Sequence, residues 1–290
     1  MAMRLSRIPS IEVKTPGQLA LMREAGLVVA RMLRAAAAAA EPGISTAELD
    51  AIAEREMKAA GARSSFKGYH GYPATICTSV NDEVVHGIPS ERITLAAGDV
   101  LSIDAGATVG GWHGDAATTV PVGAVPGQVT ALLRACELAA WHGLSAAVAG
   151  QRLTDISHAI ESSALASGGY GVVREYTGHF IGSAMHMDPA VPNYGRPGRG
   201  TELIEGMALA IEPMLVLGDP HTRLLDDDWT VVTADGSLAA HFEHTVAITA
   251  DGPWVLTAED GGASGFAMIA ADAMADQRVG EQHPVGARRA

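Results

Sequence analysis

Residues Ile103–Val120 read IDAGATVGGWHGDAATTV. Two runs of β-type residues, 100–108 and 111–120, flank Val109-Gly110-Gly111, the pattern of a hairpin with one aspartate on each arm. With the turn centred on Val109 and Gly110, Asp104 faces Asp115, and directly opposed side chains have Cβ atoms about 5 Å apart. Like charges so placed destabilise a sheet unless a cation lies between them. The hairpin alone therefore admits two readings: one side of a metal site, or a solvated turn whose acids merely align or whose register is slipped by two.

On either side of this hairpin the same order of elements recurs. Before it, Thr15-Pro16-Gly17-Gln18 combines an N-cap threonine, a proline at the first helical position and a glutamine three residues on, which starts a helix that should run to Ala40 and stop at Pro42-Gly43. Ser45 and Glu48 repeat the capping box and open a second helix ending near Gly61. After the hairpin, Val125-Pro126-Gly127 precedes a helical run, and another helix begins at Thr154 and ends at Gly168-Gly169. Strand-like segments follow at 172–176, 207–212, 229–233 and 241–249. Helix pair then strands, twice over, predicts an α+β protein of two similar α/β halves packed about a pseudo-two-fold. From about Ala258 the chain becomes rich in alanine, glycine and charge. Residues 258–290 read as a flexible tail, with one weak helix near 266–275, dispensable for chemistry, appended to a single catalytic unit of residues 1–257.

Composition narrows the function. The 290 residues are 48% hydrophobic and 18% charged, enough to form a sizeable core. Acidic residues number 33 against 20 basic, a formal net charge of −13, with no lysine- or arginine-rich run. Nucleic acid and anionic membrane are poor partners for such a surface. The two cysteines, Cys77 and Cys136, form no CxxC, which excludes a disulfide framework and a cysteine-rich zinc module and fits a reducing cytosol. The amino-terminal MAMRLSRIPSIEVKTP is basic but is not followed by an apolar block of signal-peptide length, so a cytoplasmic location is expected.

Three further segments place metal-ligand side chains at the ends of apolar strands. His179 lies between glycines in TGHFIG, Glu212 ends the apolar ALAIEP, and Glu243 sits in AHFEHT. A buried carboxylate is costly unless paired or metal-bound, and the nearby arginines Arg196, Arg199 and Arg223 fall in loops. A single histidine of this kind is usually a hydrogen-bonded core or loop residue. Four carboxylates and one imidazole, each near a strand end, instead favour a shared site suited to Mn, Fe, Co or Zn. Four negative charges match two divalent ions, which carboxylates bridge at about 3.5–4 Å.

With these residues assembled, the chain resembles the type I methionine aminopeptidases, in their short bacterial form, over roughly Thr15–Thr257. The resemblance rests on GYHGYPATICTSVNDEVVHGIP (68–89), the IDAG…GWHGDAATT hairpin, GH-x-I-G…MHMDP, AIEPML and HFEHT, in this order. It implies the pita-bread fold, with antiparallel sheet and helix pairs, and two divalent metal ions on Asp104, Asp115, His179, Glu212 and Glu243, of which Asp115 and Glu243 bridge. It implies removal of the initiator methionine from nascent chains with a small second residue, by attack of metal-activated hydroxide on the first peptide carbonyl. Glu212 would also act as general base, His186 would stabilise the oxyanion, and His86 would bond near the scissile amide nitrogen. Tyr69, Tyr72, Cys77, Met185 and Trp229 match the methionine pocket, with Phe66 a further candidate. A monomer with transient ribosome proximity is expected.

His70, His241 and His244 read as structural or as neighbours of the ligands, and the face presented by His113 depends on whether the strand bulges. Two departures from the family pattern bear on substrate profile. Phe180 replaces the usual glycine after the ligand histidine, where it should narrow the site or shift the ring of His179, and Met187-Asp188 precedes Pro189. The proline-specific peptidases of the same fold share the hairpin, and a non-catalytic binding protein on that scaffold is the remaining alternative.

Overall fold

The computed structural model describes residues 11–282. The basic residues of the extreme amino terminus and the last eight residues of the expected tail lie outside them. In chain order the first half holds α1 (Pro16–Ala39), α2 (Thr46–Ala59), β1 (Arg63–Ser64), β2 (Ile76–Val80), β3 (Glu83–Val85), β4 (Val100–Val109) and β5 (Trp112–Pro121). The second begins with α3 (Gly127–Ser145), α4 (Leu153–Gly168), β6 (Gly171–Val172), β7 (Gly178–Phe180), β8 (Met187–Val191), β9 (Ala208–Ile211) and β10 (Met214–Val216). It continues through β11 (Thr222–Leu224), β12 (Val231–Thr233), β13 (Ala239–His241), β14 (Glu243–Thr249) and β15 (Gly252–Val255) to α5 (Ala263–Gln282).

Local chemistry accounts for the helix starts. The Thr15 hydroxyl accepts from the Gln18 N–H while the Gln18 side chain accepts from the Thr15 N–H, and Ser45 and Glu48 do the same for α2. Each box satisfies two amides that have no partner within the helix, and losing such a cap typically costs about 1 kcal/mol. Helix α4 starts one residue earlier than its sequence suggests, at Leu153, because the Asp155 carboxylate accepts from the Arg152 N–H.

A nine-stranded sheet forms the body of the molecule, in the order β1-β4-β5-β14-β9-β7-β8, with β2 added to β4 and β15 to β14. The β4–β5 hairpin differs from its sequence reading by one residue at the turn. Gly110 and Gly111 have φ of 57° and 84°, so the two central turn residues are the two glycines. A tight two-residue hairpin turn needs positive φ at both central positions, which valine resists, so Val109 stays in the strand opposite Trp112. Asp104 consequently pairs with Ala117 and Asp115 with Gly106. The aspartates are diagonal neighbours on one face rather than directly opposed.

Alternation along the strands separates core from site. Ile103, Ala105 and Ala116 turn toward α1 and α2, where they join Val29, Met32 and Leu49. Leu209, Ile211 and Val246 turn toward α3 and α4 and pack with Leu132, Ile156 and Ile160. The helix pairs thus cover one face of the sheet, and Asp104, Asp115 and Glu243 project from the other. Helix α1 approaches β5 so closely that a Cβ on Gly114 would lie 2.7 Å from the backbone nitrogen of Gly26.

The segment after Thr257 is more structured than its composition suggests. Helix α5 begins at Ala263, and Phe266 meets Trp141 of α3 edge-on with ring centroids 5.4 Å apart. The Arg23 guanidinium of α1 bonds the carbonyls of Val255 and Leu256. The large apolar residues Phe266, Met268 and Ile269 give α5 its packed face. Of the expected strand 172–176 only Gly171–Val172 forms, and 241–249 is divided between β13 and β14 by Phe242, whose N–H bonds the Pro213 carbonyl.

Candidate metal centre and active site

The sheet order brings one ligand-type side chain from each of five neighbouring strand positions into one recess. Asp104 comes from β4, Asp115 from β5, Glu243 from the first position of β14, Glu212 from the residue following β9, and His179 from β7. Ala117 faces both Asp104 and Glu243, and its methyl group leaves the space between them open. The β5–β14 ladder pairs only Glu243 with Ala117 and His244 with Ala116. Beyond that point the buried Thr245 hydroxyl takes over. It donates to the Asp115 carbonyl at 2.8 Å and accepts from the Asp115 N–H at 3.0 Å.

The donor atoms of Asp115, His179 and Glu243 lie within 4.8 Å of one another. His179 Nε2 is 3.8 Å from Asp115 Oδ2 and 3.5 Å from Glu212 Oε1, while its Nδ1 meets the Phe180 carbonyl at 3.0 Å. That carbonyl accepts an Nδ1–H and leaves the Nε2 lone pair to face the carboxylates, the tautomer a metal ligand requires. Burial holds the His179 imidazole down at about 3, so it is neutral at neutral pH. All four carboxyl groups are shifted the other way. Burial raises Asp104 to about 7, and burial plus the neighbouring carboxylates raises Asp115, Glu212 and Glu243 well above the usual carboxylate range.

Asp104 Oδ1, Asp115 Oδ1 and Glu243 Oε1 are buried without a hydrogen-bond partner. Acceptor oxygens left unpaired in this number are costly in a protein interior, and a divalent cation satisfies them together. The oxygen-rich set with one imidazole suits first-row divalent metals.

Every residue singled out for the site from the sequence lines one cavity of about 300 Å³. Its apolar end is made by Phe66, Tyr72, Cys77, Met185 and Trp229, and the Tyr72 and Trp229 rings meet edge-on at 5.0 Å. The Tyr72 hydroxyl donates to the backbone, so its ring rather than its polar end faces the slot. His86 follows β3 with a φ of 62° and packs between Tyr176 and Trp229, and burial lowers it to about 4. His186 lies 4.3 Å from the His179 ring, centroid to centroid, and its Nδ1 is 2.9 Å from the Tyr69 hydroxyl.

Two of the histidines read as structural or as neighbours of the ligands stand at the site. His70 lines the same cavity, and the Nε2 of buried His241 is 3.9 Å from both Glu212 Oε2 and Glu243 Oε2. His241 lies two residues before Glu243, so ordinary strand parity was the available signal for its direction. His113 needs no bulge: it shares the face of Asp115 and is tied by Nδ1 to the Ser65 hydroxyl at 2.8 Å. Phe180 does not narrow the site. Strand alternation turns its side chain away from His179 into the core with Leu209, where it is 1% exposed.

A curled antiparallel sheet, two helix pairs and a buried carboxylate-histidine cluster define a metal-dependent hydrolase scaffold, and the chain belongs to metallopeptidase family M24, which it matches over residues 20–250. Within the family, it is 55% identical over 249 residues to methionine aminopeptidase 1 of Mycobacterium tuberculosis, covering 84% of this chain and 94% of that protein. It is 50% identical over 244 residues to methionine aminopeptidase 1 of Bacillus subtilis, covering 84% and 98%. The crystal structure of a methionine aminopeptidase from Thermotoga maritima superposes with a TM-score of 0.84 at 41% identity, covering 86% of this chain and all of that one.

Proposed function

We propose that this protein is a type I methionyl aminopeptidase that removes the initiator methionine from new chains with a small second residue. The observation that carries this reading is the adjacency of the five-residue ligand set to an apolar slot within one cavity. Relatives at 55% and 50% identity carry the name methionine aminopeptidase 1.

In this reading Asp104, Asp115, His179, Glu212 and Glu243 would hold two divalent ions. The bound ions supply Lewis acidity toward the scissile carbonyl and toward water. Glu212 accepts the proton from the attacking water and returns it to the departing amine. His186 donates to the oxygen of the developing tetrahedral centre, with Tyr69 holding the far side of its ring. His86, kept neutral by burial, bonds near the scissile amide nitrogen. Phe66, Tyr69, Tyr72, Cys77, Met185 and Trp229 take the thioether, a flexible polarisable chain well matched to aromatic and sulfur neighbours.

Residues 1–257 act as one catalytic unit, and residues 258–290 are an appendage dispensable for the chemistry. The protein works in the cytoplasm as a monomer, with transient proximity to the ribosome and no nucleic-acid or membrane partner. No helix among the described residues is long and apolar enough to cross a membrane.

The test is to incubate metal-reconstituted protein with Met-Ala-Ser, Met-Lys-Ser and Ala-Pro-Ser, with and without chelator. Methionine release from the first peptide alone, abolished by chelation, is the expected result. Cleavage of the proline peptide alone identifies an X-Pro peptidase, and no turnover with any metal identifies a binding protein. Glu212→Ala should lower turnover by at least about a thousandfold while leaving the circular dichroism spectrum unchanged. An unchanged rate removes Glu212 from the reaction.

A further inference from the structure

His241 is the end residue of β13, and its backbone is fixed from two sides. Its N–H donates to Thr119 Oγ1 of β5 at 2.8 Å, the Thr119 hydroxyl reaches the His241 carbonyl at 2.7 Å, and β10 pairs with it through Met214. With the backbone held by two neighbouring strands and the residue 2% exposed, the direction of the imidazole is set. It points between Glu212 and Glu243, with Nε2 3.9 Å from one oxygen of each.

That nitrogen has no hydrogen-bond partner, and neither does Glu243 Oε1. With Glu212 and Glu243 ionised, as metal ligands are, a lone pair on Nε2 would be repelled by both, so in the loaded site the arrangement is favourable only with the hydrogen on Nε2. A movement of about 1 Å would bring it within hydrogen-bonding distance of either oxygen. A ligating carboxylate gains from a donor on its outer oxygen, which fixes the rotation of the group and leaves the inner oxygen for the ion. Glu212 and Glu243 come from different strand ends, β9 and β14, and His241 is the side chain placed to orient both.

We propose that His241 is a positioning residue that aims the Glu212 and Glu243 carboxylates into the metal centre by donating from Nε2. The proposal rests on the ligand set of the preceding section but does not require that the reaction be methionine removal.

The test titrates manganese(II) chloride into chelator-treated full-length protein by calorimetry, comparing wild type with His241→Gln and His241→Phe. Glutamine keeps a donor and should bind both ions within about threefold of wild type; phenylalanine fills the space without one and should lose about 10–100-fold at one site or both. Unaltered affinities in a folded phenylalanine variant would overturn the proposal. If that variant does not fold, a crystal structure of the manganese-loaded wild type decides. Nε2 within about 3.2 Å of a Glu212 or Glu243 oxygen supports the role, and a longer separation from both, or direct ligation of an ion by Nε2, overturns it. Wild-type protein that binds two ions yet releases no methionine from Met-Ala-Ser refutes the proposed activity and leaves this inference standing.

Discussion

Four carboxyl groups in one water-poor recess cannot all be ionised without a compensating charge. In the metal-free protein they hold protons that the unfolded chain gives up near pH 4, since Asp104 titrates at about 7 and the other three are raised in the same direction. The folded state therefore binds more protons than the unfolded state between about pH 4 and 7, and stability falls as pH rises across that window. Calorimetric melting in the presence of chelator should show a midpoint that declines from pH 4 to 7.5, with a weaker decline in Asp104→Asn. Saturating metal competes with those protons and should remove the decline. A chelated protein whose midpoint rises steadily over the same range would contradict the buried, protonated state. The five proposed ligand positions were legible in the sequence because each sets a charged or imidazole side chain at or beside an apolar strand, an expensive choice wherever it occurs. That His70 and His241 neighbour the ligand set was legible; the approach of His241 to two carboxylates at once and the place of His70 in the cavity lining were not. Both depend on where neighbouring strands place a backbone, which no local pattern encodes.

At the level of elements, the hairpin shows how one turn fixes a site. Moving the turn from Val109-Gly110 to Gly110-Gly111 changes the partner of every residue on both arms, but by two positions, so each side chain keeps its face. The aspartates therefore still converge although they are no longer opposed, and their directions were legible where their spacing was not. Behind Asp115 the sheet is thin, because Gly114 and Gly26 let α1 lie almost on the strand. Gly114→Val forces a side chain into that contact. It should cost about 1–3 kcal/mol in urea denaturation and weaken metal binding by displacing Asp115, and full stability would show that α1 yields without strain. The capping boxes at Thr15 and Ser45 fixed both helix starts from sequence because capping is a local exchange of hydrogen bonds. The α4 start was missed by one residue because arginine is not a usual cap, and there the Asp155 carboxylate supplies the bond.

At the level of the molecule, the helix pairs stand on one side of a continuous sheet and the chemistry on the other. Helix α5 belongs to the helix side, packed on Trp141 of α3 and away from the cavity lining. Deleting residues 263–290 should lower the melting temperature by exposing that surface while leaving kcat on Met-Ala-Ser within about twofold, since large changes of rate require a displaced reacting group. A loss of turnover without loss of fold would tie α5 to the site. Its packing was hidden in the sequence by alanine and glycine content, which lowers the apolar signal even where a few large residues make the contact.

The short β5–β14 ladder carries a consequence for the covalent continuity of the chain. Along this seam only two residue pairs and the Thr245 hydroxyl join the halves, which also meet through β3–β12 pairing and the Arg23 bonds to Val255 and Leu256, and the proposed ligands contributed by each half face one another across it. Cutting the exposed connection between Gly123 and Ala124 would leave two fragments whose association the proposed ions, held by side chains of both, would strengthen. Co-produced fragments 1–123 and 124–290 should hold together more tightly in the presence of manganese than after chelation, so that the metal centre acts as an added fastener between two half-proteins.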